Sequence, residues 1–541
     1  MGTGSGTASG READGTDADC VVIGGGIVGT SIARDVARRG LRVTLVEQGD
    51  LAGGTSSASS RLIHGGLRYL EHGDLRLVFE ALRERAILLR IAPHLVRPLP
   101  FVMPVHRGDR VGRWKLAVGM WLYDLLKGSG NLPRHRMLSK RALLRLEPAL
   151  DGPALLGGAR YYDAQCDDAR LAIATARSAA AHGARILVRT RVDALCTSGG
   201  RVTGISATDR ETGATTTLLA RAVVNATGPW ADTLRRLEDP AARPALRPTL
   251  GVHVVVPGHR LPIQSAVTIT SRVDGRVMFA LPWAGQVYIG TTDTDWSGDP
   301  ATVAADEADI IYLLRSANAC FPAARLGPED VVATWAGLRP LVSDAGAGST
   351  AAVSREHAIL EGPGGMLSVV GGKLTTARSM AAEVGDAVAR RVAAGRGARP
   401  APRPPTDREP LPGGEAADVR GLAPQGIAAG LPEATVLHCL GHYGTEAAAI
   451  FRLVEADRSL AERLHPDHPA VAAEVLHAAR REYARSVDDV LTRRLHLRYL
   501  TADRGAAAVE RVVALLGDEL GWDGERRLAD ATAYLQAVRT P

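Results

Sequence analysis

Three glycines set between an apolar strand and an amphipathic helix restrict what this chain can fold into more than any other feature. Gly24, Gly26 and Gly29 spell G-x-G-x-x-G directly after the run Cys20-Val21-Val22-Ile23. Apolar residues at helical spacing predict a helix from Ile27 to Arg39, closed by Gly40, and Val43-Thr44-Leu45-Val46 reads as the next strand. Glu47 ends that strand, 23 residues after Gly24. Each residue type matches a physical task. Gly24 allows the tight turn, Gly26 lets backbone approach a pyrophosphate, and Gly29 permits close helix–strand packing. The helix N-terminus offers N–H groups to the phosphates, and Glu47 can accept hydrogen bonds from ribose hydroxyls. A dinucleotide-binding βαβ unit follows, with NAD and FAD both open.

The next segment separates the two. Thr55-Ser56-Ser57-Ala58-Ser59-Ser60-Arg61-Leu62-Ile63-His64-Gly65-Gly66-Leu67-Arg68-Tyr69 is a run of small hydroxyl residues ending in a histidine, two glycines and an arginine. Composition alone would make it a polar loop, yet such loops seldom end in so apolar and basic a block. FAD lies extended and needs hydroxyl and backbone donors along its pyrophosphate and ribityl chain, which this segment supplies. Asn225-Ala226-Thr227-Gly228-Pro229-Trp230 follows the apolar strand Ala222 to Val224, and Gly228 can bring backbone near the cofactor. Gly371-Gly372-Lys373-Leu374-Thr375-Thr376 follows Leu367 to Val370 and opens a helix. Backbone N–H groups at that start can stabilise negative charge on a reduced flavin ring.

With 541 residues, the chain calls for two or three domains. The first 18 residues, rich in Gly, Ser, Thr, Ala and Asp, read as a disordered tail without the apolar core of a signal peptide. No run reaches the roughly 18 apolar residues that cross a bilayer, so a cytoplasmic protein is expected. Residues 201–295 are strand-rich and suggest an antiparallel sheet beside the nucleotide domain. Residues 392–414 are dense in Pro, Arg and Gly and read as a linker, and 415–541 as a helical C-terminal domain. Five scattered cysteines without a C-x-x-C pair favour neither disulfides nor a metal centre, and His438, Cys439 and His442 read as helix surface. The net charge of +6 admits an anionic partner: a phosphate substrate, a nucleic acid or a membrane surface. Aromatics are only 4%, too few for the stacking surfaces of a nucleic-acid binder. Only four lysines occur (Lys115, Lys127, Lys140, Lys373), which draws attention to Lys373.

Taken together these blocks resemble the FAD-dependent glycerol-3-phosphate dehydrogenases, the membrane-associated class rather than the NAD-linked one. Further support comes from Asp167-Asp168-Ala169-Arg170-Leu171, Ile289-Gly290-Thr291-Thr292-Asp293, Gly337-Leu338-Arg339-Pro340-Leu341, Leu411-Pro412-Gly413-Gly414 and Ala484-Arg485-Ser486-Val487-Asp488-Asp489-Val490. The resemblance covers the chain from about residue 19 onward. It implies an α/β plus α architecture. A Rossmann-like FAD-binding domain over 19–391 would carry an inserted antiparallel-sheet substrate domain (about 95–160 and 240–340), as in the D-amino-acid-oxidase-like superfamily. A helical C-terminal domain would follow. The implied FAD contacts are Gly24, Gly26, Gly29, Glu47, Thr55, Ser56, Ser60, Leu62 and Thr375, with His64, Gly228, Gly372, Lys373 and Leu374 beside them.

The implied substrate is glycerol 3-phosphate, whose oxidation to dihydroxyacetone phosphate needs cations for the phosphate and a base near C2. Arg68, His253, Arg339 and Lys373 are the candidates. A structural ion pair competes for each arginine, and a satisfied core histidine competes for His253. No metal is expected. The resemblance implies a membrane quinone as electron acceptor and peripheral attachment to the inner face of the cell membrane. Residues 110–127 are the expected docking helix, although burial in the core explains its apolar side equally well. A glycerol-phosphate oxidase using oxygen and a flavin-dependent amine oxidoreductase of the same fold remain alternatives. The oligomeric state stays open, a homodimer included.

Overall fold

The computed structural model describes residues 16–67, 74–127, 132–150, 152, 154–343 and 357–539. The predicted βαβ unit is present. Strand Ala18–Ile23 pairs in parallel with Val43–Val46 on one side and with the end of Thr215–Asn225 on the other. Cys20 and Val22 are fully buried under helices and Val21 is fully buried on the opposite face against Ile205 and Leu218, which is why the strand reads as an unbroken apolar run. The sheet continues through Leu367–Gly371 to His357–Glu361 on one edge and through Arg185–Leu187 on the other. Helices Ile27–Arg38, Asp168–Ala181 and Ala377–Arg396 cover it. Gly385 makes their close approach feasible, since a Cβ there would stand 2.0 Å from Asp35 Oδ1.

The strand-rich stretch divides between two sheets. Thr190–Ser198, Arg201–Asp209 and Thr215–Asn225 form an antiparallel meander that grows out of this first sheet. From Leu246 onward the strands join a second, 10-stranded sheet that also contains Val96–His106 and Leu155–Cys166. That sheet is antiparallel except where Ala266–Thr270 pairs in parallel with Val96–His106. The short strand Leu62–Ile63 lies on its edge against Gln165 and Ala164, so the hydroxyl-rich loop runs from the glycine turn into the second sheet.

The stretch read as a linker differs from that expectation. Helix Ala377–Arg396 takes its first five residues. The remainder is strapped to the helices Ile27–Arg38 and Leu75–Ile91: Arg34 donates to Thr406 O at 3.1 Å and Glu409 O at 2.9 Å, and Leu411 N donates to Ile91 O at 2.8 Å. Prolines without N–H groups stop regular structure there, but their neighbours' carbonyls remain acceptors for arginine. Beyond it, helices between Ala423 and Ala537 enclose a separate core around Val436, Ile450, Phe451, Val475, Leu491 and Leu516. Among the described residues no helix is long and apolar enough to cross a membrane.

Candidate active site

The three motif glycines differ in what surrounds them. Gly24 has φ +110°, a conformation side chains rarely adopt, and a Cβ there would lie 2.6 Å from Ala226 O. At Gly29 a Cβ would lie 1.9 Å from Gly24 O, so helix and turn touch through this hydrogen. At Gly26 the only close atom among the described residues is Ser56 Oγ at 3.1 Å, which leaves a concavity beside the backbone. Ser56 Oγ also accepts from Ile27 N at 2.9 Å, tying the hydroxyl loop to the helix start. Glu47 accepts from Gly25 N at 2.6 Å through Oε2 and from Gly49 N at 2.8 Å through Oε1. Burial raises its pKa, and the two N–H groups oppose that. Lone pairs remain on both oxygens for ribose hydroxyls. An open cradle at Gly26 and a carboxylate fixed beside it fit the pyrophosphate and ribose of a dinucleotide.

Below this turn lies a cavity of about 950 Å³. It brings together Thr55, Ser56, Ser60, Leu62 and His64 from the loop with Gly372, Lys373, Leu374 and Thr375 from the start of the last covering helix. Arg339 joins them from the second sheet. Gly24, Gly26, Gly29, Glu47, Gly228 and His253 are outside its lining. Arg68 lies outside the described residues. Gly228 has φ +56° in a turn locked by Asn225, whose side chain donates to Ala231 O and accepts from Thr227 Oγ1 at 2.7 Å. Gly372 has φ +91°.

Arg339 donates to Asp293 Oδ1 at 3.2 Å, Thr291 Oγ1 at 3.1 Å and Thr292 O at 3.2 Å. Strand pairing sets this up, because Gly251, opposite Gly337, leaves the guanidinium room that a Cβ would fill at 2.7 Å. His253 occupies a different place. It is 2% exposed, stacked on Trp335 at 4.9 Å, with Nε2 2.9 Å from Ser60 Oγ. Burial holds its pKa well below 6.5, and Arg339 and Arg61 push the same way. A neutral histidine behind Ser60 reaches the cavity only through that hydroxyl.

Several site features were not assigned from sequence. Thr291 and Asp293 belong to a block that was recognised, but their partner is 46 or more residues away and only strand pairing joins them. Arg276 lines the cavity, and nothing distinguished it in an arginine-rich chain. Arg61 is buried over Trp283, 3.9 Å from the ring centroid, with Asp168 3.7 Å from its Nε. The histidines His438 and His442 serve structure, bonding to Glu474 and to Arg494 O. No cluster of three or more His, Cys, Asp or Glu able to hold a metal occurs among the described residues.

Comparison with known proteins decides the family. Residues 19–378 match the family described as FAD dependent oxidoreductase, and 404–527 match the C-terminal domain of alpha-glycerophosphate oxidase. The chain is 40% identical to glycerol-3-phosphate dehydrogenase 2 of Mycobacterium tuberculosis over 529 residues, 96% of this chain and 88% of that protein. The chain belongs to the FAD-dependent glycerol-3-phosphate dehydrogenases. Another family member, from Synechocystis, is 38% identical over 95% of both chains. The family's structure from Bacillus halodurans, solved with FAD, superposes with a TM-score of 0.80 at 30% identity over 96% of this chain and 94% of that one. The cofactor of the family is FAD, which the open cradle at Gly26 and the cavity beneath it accommodate.

Proposed function

We propose that this protein oxidises glycerol 3-phosphate to dihydroxyacetone phosphate and hands the electrons to a membrane quinone. The observation that carries the reading is the cavity itself, where cofactor-side hydroxyls and a helix start face Arg339, Lys373 and His64. FAD, when bound, supplies the hydride acceptor. Thr55, Ser56 and Thr375 would hold it, with Glu47 against the adenosine ribose. Arg339 and Lys373 neutralise the dianionic phosphate, and Asp293 fixes the Arg339 guanidinium in the cavity wall. His64 lines the cavity and takes the C2 hydroxyl proton. His253, held neutral and out of the cavity, orients Ser60 instead.

The quinone reading rests on the helix Arg113–Lys127. Its inner face, Leu116, Met120 and Tyr123, is buried, whereas Trp114, Val118, Trp121 and Leu125 are exposed. Val118, Gly119 and Leu122 of the same helix line the cavity. A surface laid in the headgroup region would therefore open the flavin site toward the acyl chains where quinones dissolve. The test is anaerobic: glycerol 3-phosphate should bleach the flavin absorbance, glycerol should not, and a lipophilic quinone should restore it. Bleaching by glycerol at the same rate would refute the phosphate site.

A further inference from the structure

The block Ala484-Arg485-Ser486-Val487-Asp488-Asp489-Val490 lies outside the lining of the cavity, and the proposed chemistry has no use for it. It leads into a π-helical turn, Asp489–Arg494, all six residues of which are buried. Such turns are rare and recur at functional positions. Here the turn aims two consecutive guanidiniums at one carboxylate on the other domain. Arg493 Nε donates to Asp50 Oδ2 at 2.5 Å, and Arg494 donates to Asp50 Oδ1 at 2.8 Å and to Oδ2 as well. Asp50 is 3% exposed. Arg493 also reaches Asp489 Oδ1 at 2.7 Å and Asp488 Oδ2 at 2.8 Å. From the FAD side, Arg189 returns to Asp489 at 2.6 and 2.7 Å. Across the seam Asp50 thus meets Arg493 and Arg494 while Arg189 meets Asp489, so that buried charges on each side are compensated from the other.

Asp50 stands three residues after Glu47, in a loop whose shape is defined at both ends. Thr190 N donates to Glu47 O at 2.8 Å, Arg189 N to Gly49 O at 3.0 Å, and Ala52 N to Gly25 O at 3.0 Å. The last of these returns the loop to the glycine turn itself. We infer that Arg493 and Arg494 are positioning residues for the cofactor: the C-terminal domain latches Asp50, holds the Glu47–Ala52 loop in its ribose-binding shape, and so sets how tightly FAD is retained. The inference rests on Glu47 as the ribose ligand. Coupling of this kind is reciprocal, so FAD must in turn steady the π-helical turn.

Arg493, at the rim of the latch, is the residue to change. In the full-length protein, Arg493→Met should raise the FAD dissociation constant roughly tenfold or more, the scale on which outer-shell partners act on a bound group. Arg493→Lys, which keeps the charge, should recover part of that loss. The FAD-induced rise in melting temperature should shrink in Arg493→Met, because that rise follows the dissociation constant. An unchanged dissociation constant, with apo and FAD-saturated melting falling equally, would reduce the network to a structural role and overturn the latch. Glu47→Gln separates the premise from the inference. FAD affinity untouched by Glu47→Gln would remove the ribose reading, whereas affinity lowered by Glu47→Gln but not by Arg493→Met would remove the latch alone. If Arg493→Met does not fold, hydrogen exchange on the wild-type chain decides: amides of residues 485–495 should exchange more slowly with FAD than without. Equal exchange would overturn the proposal.

Discussion

At Gly29 there is no room for a second carbon, and at Gly26 there is room that only a ligand uses. Gly29→Ala would push a methyl to 1.9 Å from Gly24 O, so the helix or the turn must move. Gly26→Ala meets only a hydroxyl at 3.1 Å. The expected outcome is a split: Gly29→Ala lowers the melting temperature of the protein without cofactor, while Gly26→Ala leaves that temperature nearly unchanged and weakens FAD binding. Flavin content and apo melting curves measure both. Equal apo stability of the two variants would contradict the geometry. Cavity side chains give kinetic predictions. Arg339→Ala should lower kcat/KM by about 10- to 150-fold, from charge-assisted bonds of roughly 1.5–3 kcal/mol. His64→Asn should slow flavin reduction by about 10²- to 10⁴-fold. His253→Gln should do less, since its ring contacts the cavity only through Ser60. If His253→Gln were the slower of the two in stopped-flow reduction, the proton would pass through Ser60 and His253 after all.

At the scale of elements, the helix Arg113–Lys127 shows what sequence conveys and what it omits. Its basic entry and apolar stretch were legible, but a core helix and an interface helix predict the same composition. The structure shows one face buried and the other apolar and exposed. Trp114 is 84% exposed and Trp121 63%, with Val118 and Leu125 on the same stripe, while Met120 is fully buried. Phe79 on the adjacent helix Leu75–Ile91 is exposed as well. The expected result is binding to anionic liposomes that weakens in high salt and in Trp121→Glu, with FAD content intact. Each basic residue near the leaflet contributes about 1 kcal/mol. Flotation with the protein left in the soluble fraction would refute docking by this helix. The glycine turn was legible for the opposite reason, because its spacing is local. Arg339 was legible as a residue, but not its clasp by Asp293 and Thr291, which exists only once distant strands pair. In the strap from 397 to 411 composition records the absence of regular structure and not what the carbonyls go on to bind.

On the scale of the whole molecule, the C-terminal domain and its seam with the rest are rich in buried histidine, and this makes stability depend on pH in a definite sense. Burial, with Arg170 and Arg97 adding to it, lowers the pKa of His94 to about 3. Burial, reinforced by His438, lowers that of His468 to about 3 as well. His468 Nδ1 accepts from Ala470 N at 3.2 Å, a bond the protonated ring cannot make. In the unfolded chain both rings take up a proton near 6.5, so between that pH and about 3 the unfolded state holds more protons than the native one. Stability is therefore complete above 6.5 and declines as pH falls through the window, at about 1.4 kcal/mol per pH unit for each histidine. Asp167, Glu482 and Asp489 act in the same direction further down, because ion pairs hold them below their ordinary values and protonation removes those pairs. The FAD-saturated protein should accordingly melt at a lower temperature at pH 5.5 than at pH 7.5. The double variant His94→Gln, His468→Gln should lose much of that difference, since neither position then carries a proton to release on folding. A melting temperature that is level from pH 7.5 to 5.5, or an acid slope as steep in the double variant as in the wild type, would show that these two histidines do not govern the acid response of the seam.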